Sequence, residues 1–305
     1  MTPRLAGPVA VVVAATEARG TVRASLARFL DEVDGRGQVV LVDASRDGTA
    51  DEAERAFPGL RVLRRPPGWL APELWRDGLD ATDAPLVAFS TAQMVPCQGW
   101  LSALLGRLNV MGAAAVGGPI EPAPGLAPGD RALYWHRFVN YLRPMPDTAL
   151  NAVEPPGDNA LYRRDRLVGL EPLWERGFWE VEVHRHLRLR GERLAMADDA
   201  AVEFLGGTRL LEAIQQRQAH ARHYGADRAS RMGPAHRLAR SAAAPLVLAV
   251  MLRRLVAALT ARGQALGPWL PALPGLALLL AAWTLGEARG TWAGPPAPEI
   301  MAEGG

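Results

Sequence analysis

The apolar positions of this chain fall into two rhythms. Short and mostly unbroken runs occupy residues 8–14, 38–42, 60–63 and 86–89. They are rich in β-branched residues and predict strands buried on both faces. Between them, apolar residues recur at helical spacing, as at Val22, Leu26, Phe29, Leu30 and Val33, and helices are predicted over 21–33, 49–57 and 72–81. Buried strands that alternate with helices predict a mostly parallel sheet covered on both faces. Ligands of such sheets bind at the carboxyl ends of the strands, where Asp43 and Thr91 fall.

Further along, a helix is predicted from Trp100 to about Asn109, and a strand over 113–120 interrupted by Gly117-Gly118. Tyr134, Trp135, Phe138 and Tyr141 form an aromatic cluster at helical spacing, which reads first as core packing. Residues 178–190 form an amphipathic helix. From about residue 240 the composition shifts. Residues 242–261 are apolar apart from Arg253-Arg254, and 263–286 carry no charge at all. The second stretch exceeds the ~20 residues that cross a bilayer. Pro268, Pro271 and Pro274 crowd its first half and predict a kink or break there. Because apolar residues cover every face of 276–285, membrane association is expected over a helix buried in a soluble protein. The division expected is a sheet domain over 1–232 and a membrane-associated helical region over 233–305.

Composition changes this picture little. The chain has 305 residues, is 49% hydrophobic and 22% charged, and has a net charge of +2, as a folded protein with a sizeable core does. Its basic residues are spread along the chain and all are arginine, which argues against a nucleic-acid partner. Cys97 is alone, so an intrachain disulfide and a multi-cysteine zinc site are excluded. A strand is expected almost at the start, and no secretory leader is expected.

The candidate chemistry lies in four segments. The first is Val42-Asp43-Ala44-Ser45-Arg46-Asp47-Gly48-Thr49, preceded by Ala14-Ala15-Thr16-Glu17. The second is Thr91-Ala92-Gln93, after a buried strand and before Pro96 and Gly99-Trp100-Leu101. The third is Gly157-Asp158-Asn159-Ala160-Leu161-Tyr162-Arg163, and the fourth runs from Phe178 to Arg188. In this order and on these elements they resemble the family-2 glycosyltransferases, which have the GT-A fold and use nucleotide sugars. The resemblance covers about residues 7–230. It departs where the family has Asp-x-Asp, since Thr91 and Gln93 replace both carboxylates. Ala44 and Trp179 replace two further acidic residues of the family pattern.

The resemblance implies roles. Asp43 would bind the nucleobase, with Thr16 and Glu17 beside it; the plain alternative is that Asp43 caps a turn. Thr91 and Gln93 would hydrogen-bond the ribose, the sugar or the phosphates. Asp158 and Asn159 would face the donor sugar and the acceptor, or simply form an Asx-turn. Glu180 maps to the family's general base, with Asp158 as a second catalytic candidate. His184 lies one helical turn after Glu180 and would share its proton. Basic residues after this helix, Arg222 first, would approach the phosphates. Asp43, Thr91, Gln93, Asp158, Asn159 and Glu180 are expected to line one cleft. Mg2+ or Mn2+ is the family's usual cofactor, but uncharged Thr91 and Gln93 make a poor site for a hard cation. The expected protein is an inverting transferase with a Rossmann-like GT-A domain on the cytoplasmic side of a bacterial inner membrane. Its partners would be a nucleotide-sugar donor and a glycan or lipid-linked acceptor. The rival is a GT-A-like module at the membrane that binds without catalysis.

Overall fold

The computed structural model describes residues 9–143, 154–261 and 267–294. It opens with β1 (Val9–Ala15), α1 (Val22–Val33), β2 (Gly37–Asp43), α2 (Thr49–Ala56), β3 (Arg61–Arg64), α3 (Ala71–Asp80) and β4 (Leu86–Thr91). Next come β5 (Met94–Pro96), α4 (Trp100–Met111), β6 (Ala115–Gly117), β7 (Ile120–Pro122) and α5 (Pro128–Phe138). Then follow β8 (Asn159–Arg163), α6 (Arg164–Leu167), α7 (Glu180–Leu189), β9 (Leu194–Met196) and β10 (Val202–Phe204). The chain ends in α8 (Leu210–Ser230), α9 (Pro234–Ala242), α10 (Ala244–Ala261), a 3-10 turn over Gly267–Ala272, and α11 (Leu273–Ala293).

Every residue of β1 is buried, because both of its edges are paired. β2 lies parallel on one side and β4 parallel on the other. The sheet order is β3-β2-β1-β4-β8-β6-β9, so the chain winds outward from β1 in both directions. That reversal is a topological switch point, where α/β sheets leave a crevice at their carboxyl edge. β8 runs antiparallel to both β4 and β6. The sequence offers an Asx-turn at Asp158-Asn159 as the plain alternative; Asp158 does lie in a turn, but Asn159 opens the strand opposite Ser90. The expected strand over 113–120 is two strands. β6 belongs to the large sheet, and after Gly117-Gly118 the chain enters a small sheet of order β5-β10-β7 as β7.

Side chains alternate between the two faces of the sheet. One face holds Val12, Val40, Phe89 and Tyr162, packed with Trp75 of α3 and with Phe178 and Val183. Phe89 lies 4.7 Å from Phe178 and 5.4 Å from Tyr162 by ring centroids. Elsewhere in this unit Phe29 of α1 meets Trp100 of α4 edge-on at 5.3 Å. The carboxylate of Glu32 accepts the backbone N–H groups of Gly99 (2.8 Å) and Leu101 (3.1 Å) at the start of α4. An acidic side chain at a helix N-terminus satisfies donors that would otherwise be orphaned. This explains why Gly-Trp-Leu opens a helix at that point.

Two compact units result. Met1–Leu126 with Asn140–Thr208 forms the sheet unit, and Ala127–Val139 with Arg209–Gly305 forms a helical unit. In the helical unit Tyr134, Trp135 and Phe138 of α5 are buried, as core packing requires, and Trp135 stacks on Trp269 at 3.6 Å. The proline-rich start of the uncharged stretch is a 3-10 turn containing Pro271, and α11 begins only at Leu273. Pro8, 263–266 and 295–305 lie outside the described residues.

Candidate active site

Asp43 ends β2 and is 5% exposed. The Ser45 hydroxyl donates to its Oδ1 at 2.5 Å, and the Ser45 N–H donates to the same atom at 3.2 Å. Burial pushes the Asp43 carboxyl above its ordinary range, while the bonds from Ser45 pull the other way. Glu17, in the left-handed backbone region at φ 50°, ties the first loop to the second. Its N–H donates to Ser45 Oγ (2.8 Å), and its Oε1 accepts the Arg46 N–H (2.9 Å). Asp47 accepts from the N–H groups of Thr49 and Arg19, both at 3.0 Å, and so starts α2 as a turn-forming aspartate does. Two loops at the carboxyl ends of β1 and β2 are thus fixed to each other around Asp43.

A second cluster forms where β4 meets β8. Thr91, Gln93 and Asp158 are all buried. The Ser90 hydroxyl donates to the Asp158 carbonyl (2.9 Å), and the Thr91 hydroxyl lies 3.5 Å from Asp158 Oδ1. The Trp75 indole N–H donates to the Ser90 carbonyl at 2.8 Å. Gly157 makes the close approach possible. A Cβ there would lie 2.6 Å from the Trp75 ring and 3.2 Å from the carboxyl carbon of Glu180. Glu180 opens α7 and is half-buried; the helix N-terminus favours its anionic form. The hydroxyl of Tyr141 is pushed above its ordinary range by burial first, and then by Glu180, Glu154 and Asp158. Two of these carboxylates, Glu180 and Asp158, are ones the sequence singles out.

The two clusters lie on one carboxyl edge but not on one face. Asp43 pairs with Ala15 and Thr91 with Ala14. Successive side chains of a strand point to opposite faces, so Asp43 and Thr91 alternate. The expectation of a single cleft lined by six residues gives way to two groups flanking the switch point. One bond joins them: Gln93 Nε2 donates to the Thr16 carbonyl at 3.3 Å.

Two expected ligand-facing residues serve the fold. Asn159 is fully buried. Its Oδ1 accepts the Trp100 indole N–H (2.7 Å), and its Nδ2 donates to the carbonyls of Pro119 (3.0 Å) and Ala200 (2.9 Å). It braces the turn that presents Asp158. His184 is also fully buried and does not share a proton with Glu180 as expected. Its Nε2 is 2.8 Å from the Tyr162 hydroxyl, and its Nδ1 is 3.5 Å from Glu154. Burial lowers the pKa of His184, against the pull of Glu154. Burial raises the Glu154 carboxyl, but His184 first and then Arg188, 2.7 Å away, more than reverse this. Arg222 lies exposed on α8 of the helical unit.

Sequence reasoning missed Ser45, Trp75, Tyr141 and Glu154. Ser45 sat in the quoted motif beside Asp43. Tyr141 sat in the aromatic cluster that reads first as core packing, and Trp75 and Glu154 carry no local signal, since long-range packing places them. A divalent cation does not fit these residues. Thr91 and Gln93 bring no charge, Gln93 donates to Thr16, and no cluster of three or more His, Cys, Asp or Glu among the described residues is arranged to hold a metal.

The match to known proteins falls on this geometry. The model of glycosyl transferase family 2 matches residues 10–168, from β1 through the Asp43, Thr91 and Asp158 segments. Among solved structures, the mannosyltransferase PcManGT from Pyrobaculum calidifontis, in complex with GDP-Man and Mn2+, shares the fold. The TM-score is 0.55 at 19% identity, over 93% of this chain and 88% of that one. No curated protein matches by sequence. With its family match spanning more than half of its length, the chain belongs to glycosyl transferase family 2.

Proposed function

We propose that this protein transfers a sugar, with inversion, from a nucleotide-sugar donor to an acceptor hydroxyl. The donor would lie across the carboxyl edge at the switch point. Its base would be held by Asp43 within the loop pair that Ser45 and Glu17 brace. Its diphosphate and sugar would meet the Thr91 hydroxyl, Gln93 and Asp158. Glu180 would take the proton of the acceptor hydroxyl as that oxygen attacks the anomeric carbon, and the nucleoside diphosphate leaves on the opposite side. Asp158 and Tyr141 complete the pocket around the base. No step runs through a cation, because the donor set does not suit one; hydrogen-bond donors of the edge would stabilise the leaving group. The observation that carries this reading is the approach of Glu180 to Gly157, the residue before Asp158: a Cβ at Gly157 would lie 3.2 Å from the Glu180 carboxyl carbon.

The acceptor would be a glycan or a lipid-linked molecule, presented at the cytoplasmic face of a bacterial inner membrane. Two features support the membrane. One is the apolar helix over Trp269–Ala293. The other is the run of Arg237, Arg240, Arg253, Arg254 and Arg262 before it, since basic residues favour the cytoplasmic side. Replacement of Thr91, Gln93 and Trp179 for carboxylates favours a second reading, a module that binds the nucleotide sugar without turnover. Glu180→Gln separates the two. Transfer should fall about 10²–10⁴-fold with nucleotide affinity unchanged, because the acceptor of the proton is lost and the shape is kept. Equal turnover in the variant removes Glu180 from the mechanism.

A further inference from the structure

The apolar residues of α11 serve two different purposes, and they decide how it meets a bilayer. One side is pressed against α8. A Cβ on Gly286 would lie 2.3 Å from the Gln218 carbonyl oxygen, and one on Gly290 would lie 2.0 Å from that of Arg222. In return, a Cβ on Gly225 would lie 2.3 Å from the Glu287 carbonyl oxygen, and one on Gly275 would reach the Leu210 side chain at 3.7 Å. The contacts advance together along both helices, from Leu210 beside Gly275 to Gly225 beside Thr291. The helices are therefore parallel and side by side for about 24 Å at 1.5 Å per residue, with their backbones in contact where Gly225, Gly286 and Gly290 fall. No lipid fits between them.

α8 is not a membrane helix. Glu212, Arg217, Arg222, Asp227 and Arg228 are spread over its length. Were α11 to cross the bilayer, α8 would be drawn in beside it, at ~2.5–3.5 kcal/mol for each charge near the centre. The far half of α11 is fastened to polar partners as well. Glu287 is 8% exposed and pairs with Arg228 of α8 and with Arg240 of α9, the latter at 2.7 Å.

The other side of α11 is bare. Leu278, Leu285 and Trp292 are 51%, 53% and 65% exposed. Their spacing of seven residues puts them in one line along the helix, with a drift of only ~20° per step. Leu270 and Leu273 precede the line, and α10 exposes Leu246, Leu252 and Val256. Arg253, Arg254 and Arg289 are exposed on the same two helices, and among the described residues none of the three has an ion-pair partner. An exposed apolar line interrupted by Arg289 one turn after Leu285, with a tryptophan at its end, suits the boundary between headgroups and acyl chains, where an arginine can snorkel.

We infer that the helical unit is an in-plane anchor for an anionic membrane surface, with the Leu278–Leu285–Trp292 stripe immersed and α11 lying along the bilayer rather than crossing it. The inference rests on the membrane reading above and narrows it. The full-length chain should float with vesicles of phosphatidylcholine and phosphatidylglycerol, and bind at least tenfold less to phosphatidylcholine alone. High salt should weaken the attachment. Leu285→Glu, at an exposed position, should release the protein from vesicles while leaving nucleotide affinity unchanged.

Orientation is read separately. In a Cys97→Ser background, Leu270→Cys and Ala293→Cys should both react with an impermeant thiol reagent added outside preformed vesicles. Protection of Ala293→Cys until detergent is added would mean that α11 crosses, and the in-plane inference is overturned while the membrane reading stands. A protein that binds no vesicle overturns both, whether it remains a monomer or pairs through the stripe. Transfer activity measured on a soluble acceptor is unaffected by any of these outcomes, so the catalytic reading is tested independently.

Discussion

In the sheet unit, β1 is apolar from end to end and buried from end to end. In the helical unit, α11 is apolar from Leu276 to Trp283, yet its Leu278, Leu285 and Trp292 are more than half exposed. The difference lies in what covers each. β1 has a paired strand on both edges and helical side chains over its face, so each valine is enclosed by the chain itself. α11 has α8 against one side, so close at Gly286 and Gly290 that a Cβ there would meet backbone, and a second side that no described residue covers. An apolar run alone therefore does not say whether the chain or a membrane provides the covering. Residue size does not say so either: Leu276, Leu279 and Leu280 of α11 are buried, whereas Leu278 and Leu285 of the same helix are exposed. The tertiary neighbours decide it.

The sharpest way to break this comparison is to add a methyl group where each unit has none to spare. Gly157→Ala would drive a Cβ into the Trp75 ring and against Glu180. We expect transfer to fall on the order of 10²-fold through misplaced catalytic groups, with nucleotide affinity kept; steady-state kinetics beside equilibrium binding checks both. Normal turnover would show that the approach of Glu180 to Gly157 is not used.

Asp43→Asn should weaken nucleotide binding about 10–100-fold, the worth of a hydrogen bond to a charged acceptor. The melting temperature should not fall. Burial raises the Asp43 pKa, so its ionised form costs stability at neutral pH. Such a group contributes stability below its unfolded pKa and loses it as pH rises through the folded one. By the same sign, wild-type nucleotide affinity should decline on acidification at a higher pH than an ordinary carboxylate would give. Titration calorimetry across pH, with the variant as control, reads this directly; a pH-independent wild-type affinity removes Asp43 from the base site.

The smallest effect belongs to the helical unit. Gly290→Ala puts a Cβ 2.0 Å from the Arg222 carbonyl oxygen, and overpacking of that kind costs about 1–3 kcal/mol. Hydrogen exchange should quicken in α8 and α11 alone. Faster exchange throughout the sheet as well would mean that the two units unfold together.

Much of the sheet unit was legible because its strands are long, β-branched and regularly spaced by helices. The expected strands ending at Asp43 and near Thr91 do end there. The three-residue strands β5, β9 and β10 were not legible, since so few positions carry no period. β8 was hidden because Asp158-Asn159 reads as a turn by local chemistry, and only pairing with β4 makes the second residue a strand. The candidate site was legible in its residue types more than in their duties. Asn159 and His184 carry the right functional groups, yet Trp100, Tyr162 and Glu154 engage them, and those partners lie 22 to 59 residues away or outside the quoted motifs. The alternation of Asp43 and Thr91 follows from a one-residue offset of register, which no motif records.

The most direct measurement is turnover of a panel of nucleotide sugars by the full-length protein in lipid, read as released nucleoside diphosphate, before and after a strong chelator. Thr91 and Gln93 bring no charge to a hard cation, so Glu180-dependent release should persist, within a few-fold, in the chelator. Complete inactivation that an added divalent cation reverses would contradict this and require carboxylate ligands that these residues do not supply. Tight binding of a nucleotide sugar with no release under either condition would leave a binding module and no transferase.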